Sequence, residues 1–219
     1  IIKYINRYQG PMPGGLTNEI APSLEGQVVD VADEIAYNNH DLDDGLASAL
    51  FRAEDLQKTS LWSEHHGAAR RSFPDASKRI LRHETIRRII NDQVTDLVSA
   101  TQGRIDEQGF KDIGDVRRGG HGTVAFSGEM EVRNRELKRF LMERMYRNPH
   151  LVKLGENACR TVTDLFQVYV THPEKFPSHE AERREIDGLH RMVCDYVSGM
   201  TDRFALEQRA IHFGTAMPG

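Results

Sequence analysis

No stretch limits the fold of this chain more than residues 23–46, which read SLEGQVVDVADEIAYNNHDLDDGL. Pro22 and Ser23 provide a helix start, and Glu25 puts an acid in the first turn, where the positive end of the helix dipole favours it. Val28, Val31, Ala32, Ile35 and Ala36 recur at helical spacing, so the helix has one side to bury. Asp33, Tyr37 and Asp41 follow one another at four-residue steps and share a different side. Acids beside an apolar stripe need partners if they are buried, and a metal or a ligand is one kind of partner. A solvated acidic face has the same spacing, and spacing leaves the two readings open.

The rest of the chain fits a helical protein of ordinary size. Its 219 residues are 38% hydrophobic and 28% charged, with a net charge of −4, so nothing global points to nucleic acid. Cys159 and Cys194 offer no disulfide framework and fit a reducing cytosol, and no apolar run approaches the length of a membrane span. A second periodic helix is expected from Ser77 to about Thr101, with Ile86, Ile90, Val94 and Leu97 as its buried stripe. Arg79, Arg82, Arg87 and Arg88 crowd its N-terminal half. Such a cluster is either a solvated basic face or a set of bidentate donors for phosphate. Residues 102–130 are glycine-rich without helical period and read as a mobile loop, with Val124-Ala125-Phe126 as a short strand or part of a β-hairpin. Helices follow at Glu131–Arg147, Glu156–Thr171 and beyond Pro177, the last with Ile186, Leu189, Val193 and Val197 on one face. Thr201 or Asp202 is placed to cap a further segment. Trp62 reads as a core anchor, while the adjacent His65 and His66 lack the spaced partners of a metal site.

The segment from Ser23 to Leu46 closely resembles the bacterial deoxyguanosine-triphosphate triphosphohydrolase-like proteins of the HD-domain phosphohydrolase superfamily. KRFLMERMYRNP (Lys138 to Pro149) and DYVSGMTDRFAL (Asp195 to Leu206) resemble later helices of the same family, so the likeness runs from about Pro22 to Leu206. It implies an all-α, HD-domain-type helical bundle, of which this chain would be the C-terminal portion. Residues 1–101 would be the C-terminal part of the catalytic core, 102–130 the loop, and 131–219 a helical region packed on the core. The family's metal site uses a His, then a His-Asp pair, then a distant Asp that opens an Asp-x-x-x-Tyr-x-x-x-Asp segment. The resemblance therefore implies that Asp33 is a metal ligand and that Tyr37 and Asp41 contact the sugar and phosphate side of a nucleotide. The literal His40-Asp41 pair sits in the wrong place for the family's His-Asp motif. Adjacent helical residues also point about 100° apart.

A SAM-domain-bearing vertebrate member of the superfamily grips its nucleotide with an Arg, a His four residues later and a Tyr four further on. Here those positions are Arg82, Ile86 and Ile90. Arg82 carries over as a phosphate contact, but the other two do not, and base selectivity does not transfer. The activity implied for the complete protein is cleavage of a deoxynucleoside triphosphate to deoxynucleoside and tripolyphosphate at a divalent metal, Mg2+ or Mn2+. Such a metal would neutralise phosphate charge and activate a water. The resemblance further implies a cytoplasmic homo-oligomer. Since no His and His-Asp motif precedes Asp33, the chain is expected to be a piece of the enzyme, inactive alone, with its catalytic residues unassigned. The alternative is a non-catalytic helical module for oligomer assembly or regulatory nucleotide binding.

Overall fold

A computed structural model describes residues 21–119, 122–176 and 188–214. Every regular element among them is helical, as expected for an all-α chain. They fall into two compact units that divide between Arg147 and Asn148.

The first unit holds α1 (Leu24–Ala47), α2 (Ser60–Ser72), α3 (Lys78–Gln108), α4 (Ile113–Gly119) and α5 (Gly128–Leu141), the last continued by a π turn over Met142–Tyr146. Serines start three of these helices by accepting an otherwise unpaired N–H. Ser23 accepts from Gly26 at 3.3 Å, Ser77 from Ile80 at 3.4 Å and Ser127 from Met130 at 3.2 Å. The core gathers Ile35 and Leu42 of α1, Leu61 and Trp62 of α2, Ile86, Ile89 and Leu97 of α3, and Met130, Leu137 and Leu141 of α5. Burying each such side chain contributes roughly 1.5–3 kcal/mol. At the end of α1 the chain turns back sharply, with Ala49 at φ 58°. The turn sets the Phe51 ring against Gly45, where a Cβ would lie 2.2 Å from ring carbons.

Both long helices bury different faces from those their apolar periodicity predicts. Within α1 the buried residues are Gln27, Ile35, Asn39, Leu42 and Gly45, and Val28 remains 45% exposed. Within α3 they are Thr85, Ile86, Ile89, Gln93 and Leu97, and Val94 is 44% exposed. An amide ladder decides this. Asn39 Nδ2 donates to Gln93 Oε1 at 2.7 Å, and Gln93 Nε2 donates to Asn134 Oδ1 at 2.7 Å, linking α1, α3 and α5 through the interior. Asn39 Nδ2 also donates to the Ile35 carbonyl at 2.8 Å. Because each amide finds partners, three polar residues sit where a pattern reading expects only apolar ones.

Residues 102–130 differ from the expected loop and strand. The α3 helix runs on to Gln108 and stops at Gly109, which takes a left-handed φ of 60°. Then α4 follows, its Asp115 N–H bonded to the Asp112 carboxylate at 3.0 Å. Residues 124–126 are extended, yet no strand forms among the described residues. The Arg104 guanidinium donates to the Ala125 carbonyl at 2.5 Å and to that of Phe126 at 2.6 Å, and the Val124 N–H donates to Gln27 Oε1 at 3.2 Å. Side chains thus satisfy the groups a neighbouring strand would pair, while Val124 and Phe126 enter the core.

The second unit contains α6 (Pro149–Thr171), α7 (Leu189–Ser198) and α8 (Asp202–Phe213). Asn148 caps α6 with Pro149 in its first turn, and Thr201 caps α8 by accepting from Phe204 at 3.3 Å. Leu165, Val168 and Tyr169 of α6 pack with Met192, Val193 and Val197 of α7. Val162, expected in this core, is 52% exposed, and Ile186 lies outside the described residues. Tyr169 is the hub: its ring meets Phe176, Tyr196 and His212 edge-on, and its hydroxyl donates to Gln208 Oε1 at 3.1 Å. Burial pushes its phenol up to about 12, with Tyr196 adding to the shift.

Candidate functional site

The residues singled out by sequence lie on two neighbouring strips of the α1–α3 surface. Asp33 and Tyr37 are exposed on α1, Tyr37 by 58%. Neither has a hydrogen bond or ion pair among the described residues. Asp41, next on the same face, accepts a short hydrogen bond from the Tyr146 hydroxyl. Desolvation, then the neighbouring Asp44 charge, pushes the Asp41 carboxyl above the usual range, with His40 acting against them.

Beside this ridge runs a groove of about 520 Å³ between α1 and α3. Ala32 and Ala36 form one wall, and Ile86, Ile90 and Val94 the other. It contains much of the apolar stripe read from the sequence, left open because the amide ladder holds the helices by other faces. Ile86 and Ile90, the positions where the vertebrate relative carries His and Tyr, both line it. One end is polar: Arg82 Nε stands 2.8 Å from Asp43 Oδ1, with His83 Nδ1 at 3.8 Å from the same oxygen. Arg82 is therefore engaged by Asp43, and no described bond joins it to Asp33, Tyr37 or Asp41.

Asp43 and Tyr146 are the residues that sequence reasoning missed. Asp43 had a signal, because Ala36, His40 and Asp43 fall at i, i+4 and i+7 and so share a face. Tyr146 had only its place in the Lys138–Pro149 segment. The two histidines of α2 take structural roles. His65 Nε2 lies 2.9 Å from Asp92 Oδ2, and His66 stacks on Trp62 with ring centroids 5.1 Å apart.

A divalent metal has little to hold it here. Asp33 offers one unengaged carboxylate, but no group of three His, Cys, Asp or Glu side chains converges among the described residues. The described residues alone do not fit a metal centre.

Residues 124–210, from the clamped extended segment into α8, match the model of the phosphohydrolase-associated domain. A deoxyguanosinetriphosphate triphosphohydrolase-like protein of Geobacter sulfurreducens is 39% identical over 210 residues, covering 95% of this chain and 54% of the relative. One from Ralstonia pickettii is 39% identical over 212 residues with the same coverage. A third, from Thiobacillus denitrificans, is 40% identical over 192 residues, covering 87% of this chain and 50% of its own length. The chain is related to the deoxyguanosinetriphosphate triphosphohydrolase-like proteins. The resemblance read from Ser23–Leu46 and the two later helices is thereby borne out. The chain spans about half the length of the curated relatives it matches. Asp33, Tyr37, Asp41 and Arg82 all lie outside the phosphohydrolase-associated stretch, so their roles rest on the α1 and α3 motifs. No described helix is long and apolar enough to cross a membrane.

Proposed function

We propose that the chain forms one wall of the active site of a deoxynucleoside-triphosphate triphosphohydrolase. The observation that carries the reading is the unengaged Asp33–Tyr37 ridge beside a groove whose polar end holds Arg82. On this reading Asp33 supplies one carboxylate to a Mg2+ or Mn2+ site, whose remaining ligands are a His and a His-Asp pair outside these 219 residues. Arg82 holds a phosphate oxygen. To do so it exchanges its bond to Asp43 for one to substrate, and a guanidinium with several donors can share both. Tyr37 packs on the deoxyribose, where a 2′-hydroxyl would collide. Asp41, held by Tyr146, fixes the polar side of the nucleotide. The walls at Ile86 and Ile90 offer the base apolar area without donors or acceptors, so they discriminate weakly among bases. The oligomeric and cytoplasmic character of the protein belongs to the same proposal.

The test uses the full-length protein with dGTP and Mn2+, assaying tripolyphosphate. Asp33→Ala should abolish metal-dependent release, and Arg82→Ala should raise KM strongly. Release at an undiminished rate in the Asp33→Ala protein would overturn the reading. The 219-residue chain alone should release no tripolyphosphate, since one carboxylate binds a divalent cation weakly.

A further inference from the structure

A second cavity, of about 630 Å³, opens where the end of α1, the N-terminus of α3 and α2 meet. Arg52, Arg70, Lys78, Arg79 and Arg82 line it, against one acid, Glu54. Asp33, Tyr37 and Asp41 do not line it.

This concentration of charge is unlike the rest of the molecule, whose net charge is −4. Elsewhere arginines are paired: Arg87 and Arg88 with Glu84, Arg133 with Glu64 and Asp92, Arg209 with Asp164. Of the five cations in the cavity only Arg82 has a carboxylate within 4 Å among the described residues. Arg52, Arg70, Lys78 and Arg79 have none.

The helix adds to the imbalance. Lys78 and Arg79 occupy the first turn of α3, which contains no acid. Cations there face the positive end of a 31-residue helix and repel it. The arrangement is unfavourable in isolation and becomes favourable once an anion lies between the helix end and the side chains. The walls are not wholly polar, since Phe51, Leu81 and Trp62 contribute to them. Trp62 is 1% exposed, and its Nε1 is buried without a hydrogen-bond partner.

We propose that this cavity binds an oligophosphate anion, with Arg52, Arg70, Lys78 and Arg79 as its charged donors. Four cations drawn from three elements suit a chain of phosphates better than a single one, because one phosphate cannot reach all of them. Inorganic tripolyphosphate and the phosphate tail of a nucleotide share this chemistry. The apolar wall distinguishes them, since only a nucleotide has a ring to lay against it. The site is independent of any role for Asp33.

Trp62 is the chain's only tryptophan, so its fluorescence reports on this cavity alone. The experiment titrates the 219-residue chain with sodium tripolyphosphate at low ionic strength without divalent metal, following Trp62 emission and heat. Saturable one-site binding is expected, weakening as salt rises. An Arg70→Ala, Arg79→Ala double variant, shown to be folded by circular dichroism, should bind at least about tenfold more weakly, since each charge-assisted bond lost contributes about that factor. An Arg87→Ala, Arg88→Ala control removes as much charge from the same helix outside the cavity and should bind as before. Repeating the titration with dGTP separates the sources: tighter binding than tripolyphosphate assigns the apolar wall to the base, and equal binding assigns the site to phosphates alone. No saturable signal, equal affinity in the Arg70/Arg79 variant, or equal loss in the Arg87/Arg88 control would each overturn the proposal. An Asp33→Ala chain should bind unchanged, which keeps this outcome separate from the fate of the active-site reading.

Discussion

Replacing Gln93 by Leu tests whether the amide ladder or apolar burial governs the first unit. Gln93 is 1% exposed, so a Leu there gains roughly 2 kcal/mol of apolar burial. Against that, two buried hydrogen bonds are lost, the one accepted from Asn39 and the one donated to Asn134, each at 2.7 Å. At about 1 kcal/mol net apiece they cost about 2 kcal/mol. Asn39 Nδ2 keeps its bond to the Ile35 carbonyl, but Asn134 Oδ1 is left buried and unpaired. That adds about 2 kcal/mol. The costs exceed the gain, and Gln93→Leu should destabilise by about 2 kcal/mol, a fall of roughly 4–8 °C in Tm. Urea denaturation followed by circular dichroism checks this: the midpoint should fall at constant slope. Adding Asn134→Leu removes the stranded acceptor, together with an Nδ2 that is already unpartnered, so the double variant should recover part of the loss. A Gln93→Leu protein as stable as the parent or more so would refute the reasoning, since it would mean the ladder adds nothing that a hydrocarbon does not.

Three further outcomes follow from single contacts. Gly45→Ala should destabilise by about 1–3 kcal/mol despite alanine's better helix propensity, because its methyl would overlap the buried Phe51 ring; a thermal melt decides the sign. Arg104→Ala strips the Ala125 and Phe126 carbonyls of their donors and should cost about 2 kcal/mol, with faster amide exchange confined at first to residues 122–127. His66 is held below its ordinary value of 6.5 by burial and then by the Arg70 charge, with Glu54 opposing. The unfolded chain therefore takes up this proton first, and stability falls as pH drops through 6.5 toward the lower folded value, with no contribution above 6.5. Arg70→Ala should move the His66 ring titration upward by NMR and soften that acid loss.

How much was legible in advance differs from element to element. Helix starts were local and readable: Ser23 and Thr201 cap where the sequence places them, because an N-cap needs only a hydroxyl and the next turn's N–H groups. The region after Thr101 was not. Its glycines resemble breakers, yet Gly103 sits inside α3, and the extended residues 124–126 are held by Arg104 from more than twenty residues away in sequence. For the candidate site, the motif placed Asp33, Tyr37 and Asp41 on one helix side, and α1 does present them so. What each one touches was out of reach. Arg82 meets Asp43, and Asp41 meets Tyr146, through contacts that depend on how helices dock.

The sequence by itself determined that the chain is helical, where most helices begin, and which relatives it resembles, since these follow from periodicity, capping and motif, all local properties. Tertiary structure alone decided which face of α1 and α3 is inside. Apolar spacing offered Val28, Ala32 and Val94 to the interior, yet Asn39 and Gln93 took it, because each amide there finds a partner on another helix. The displaced stripe became the groove beside Asp33. A buried hydrogen bond needs both its ends, and the second end is a fact of packing that no single helix carries.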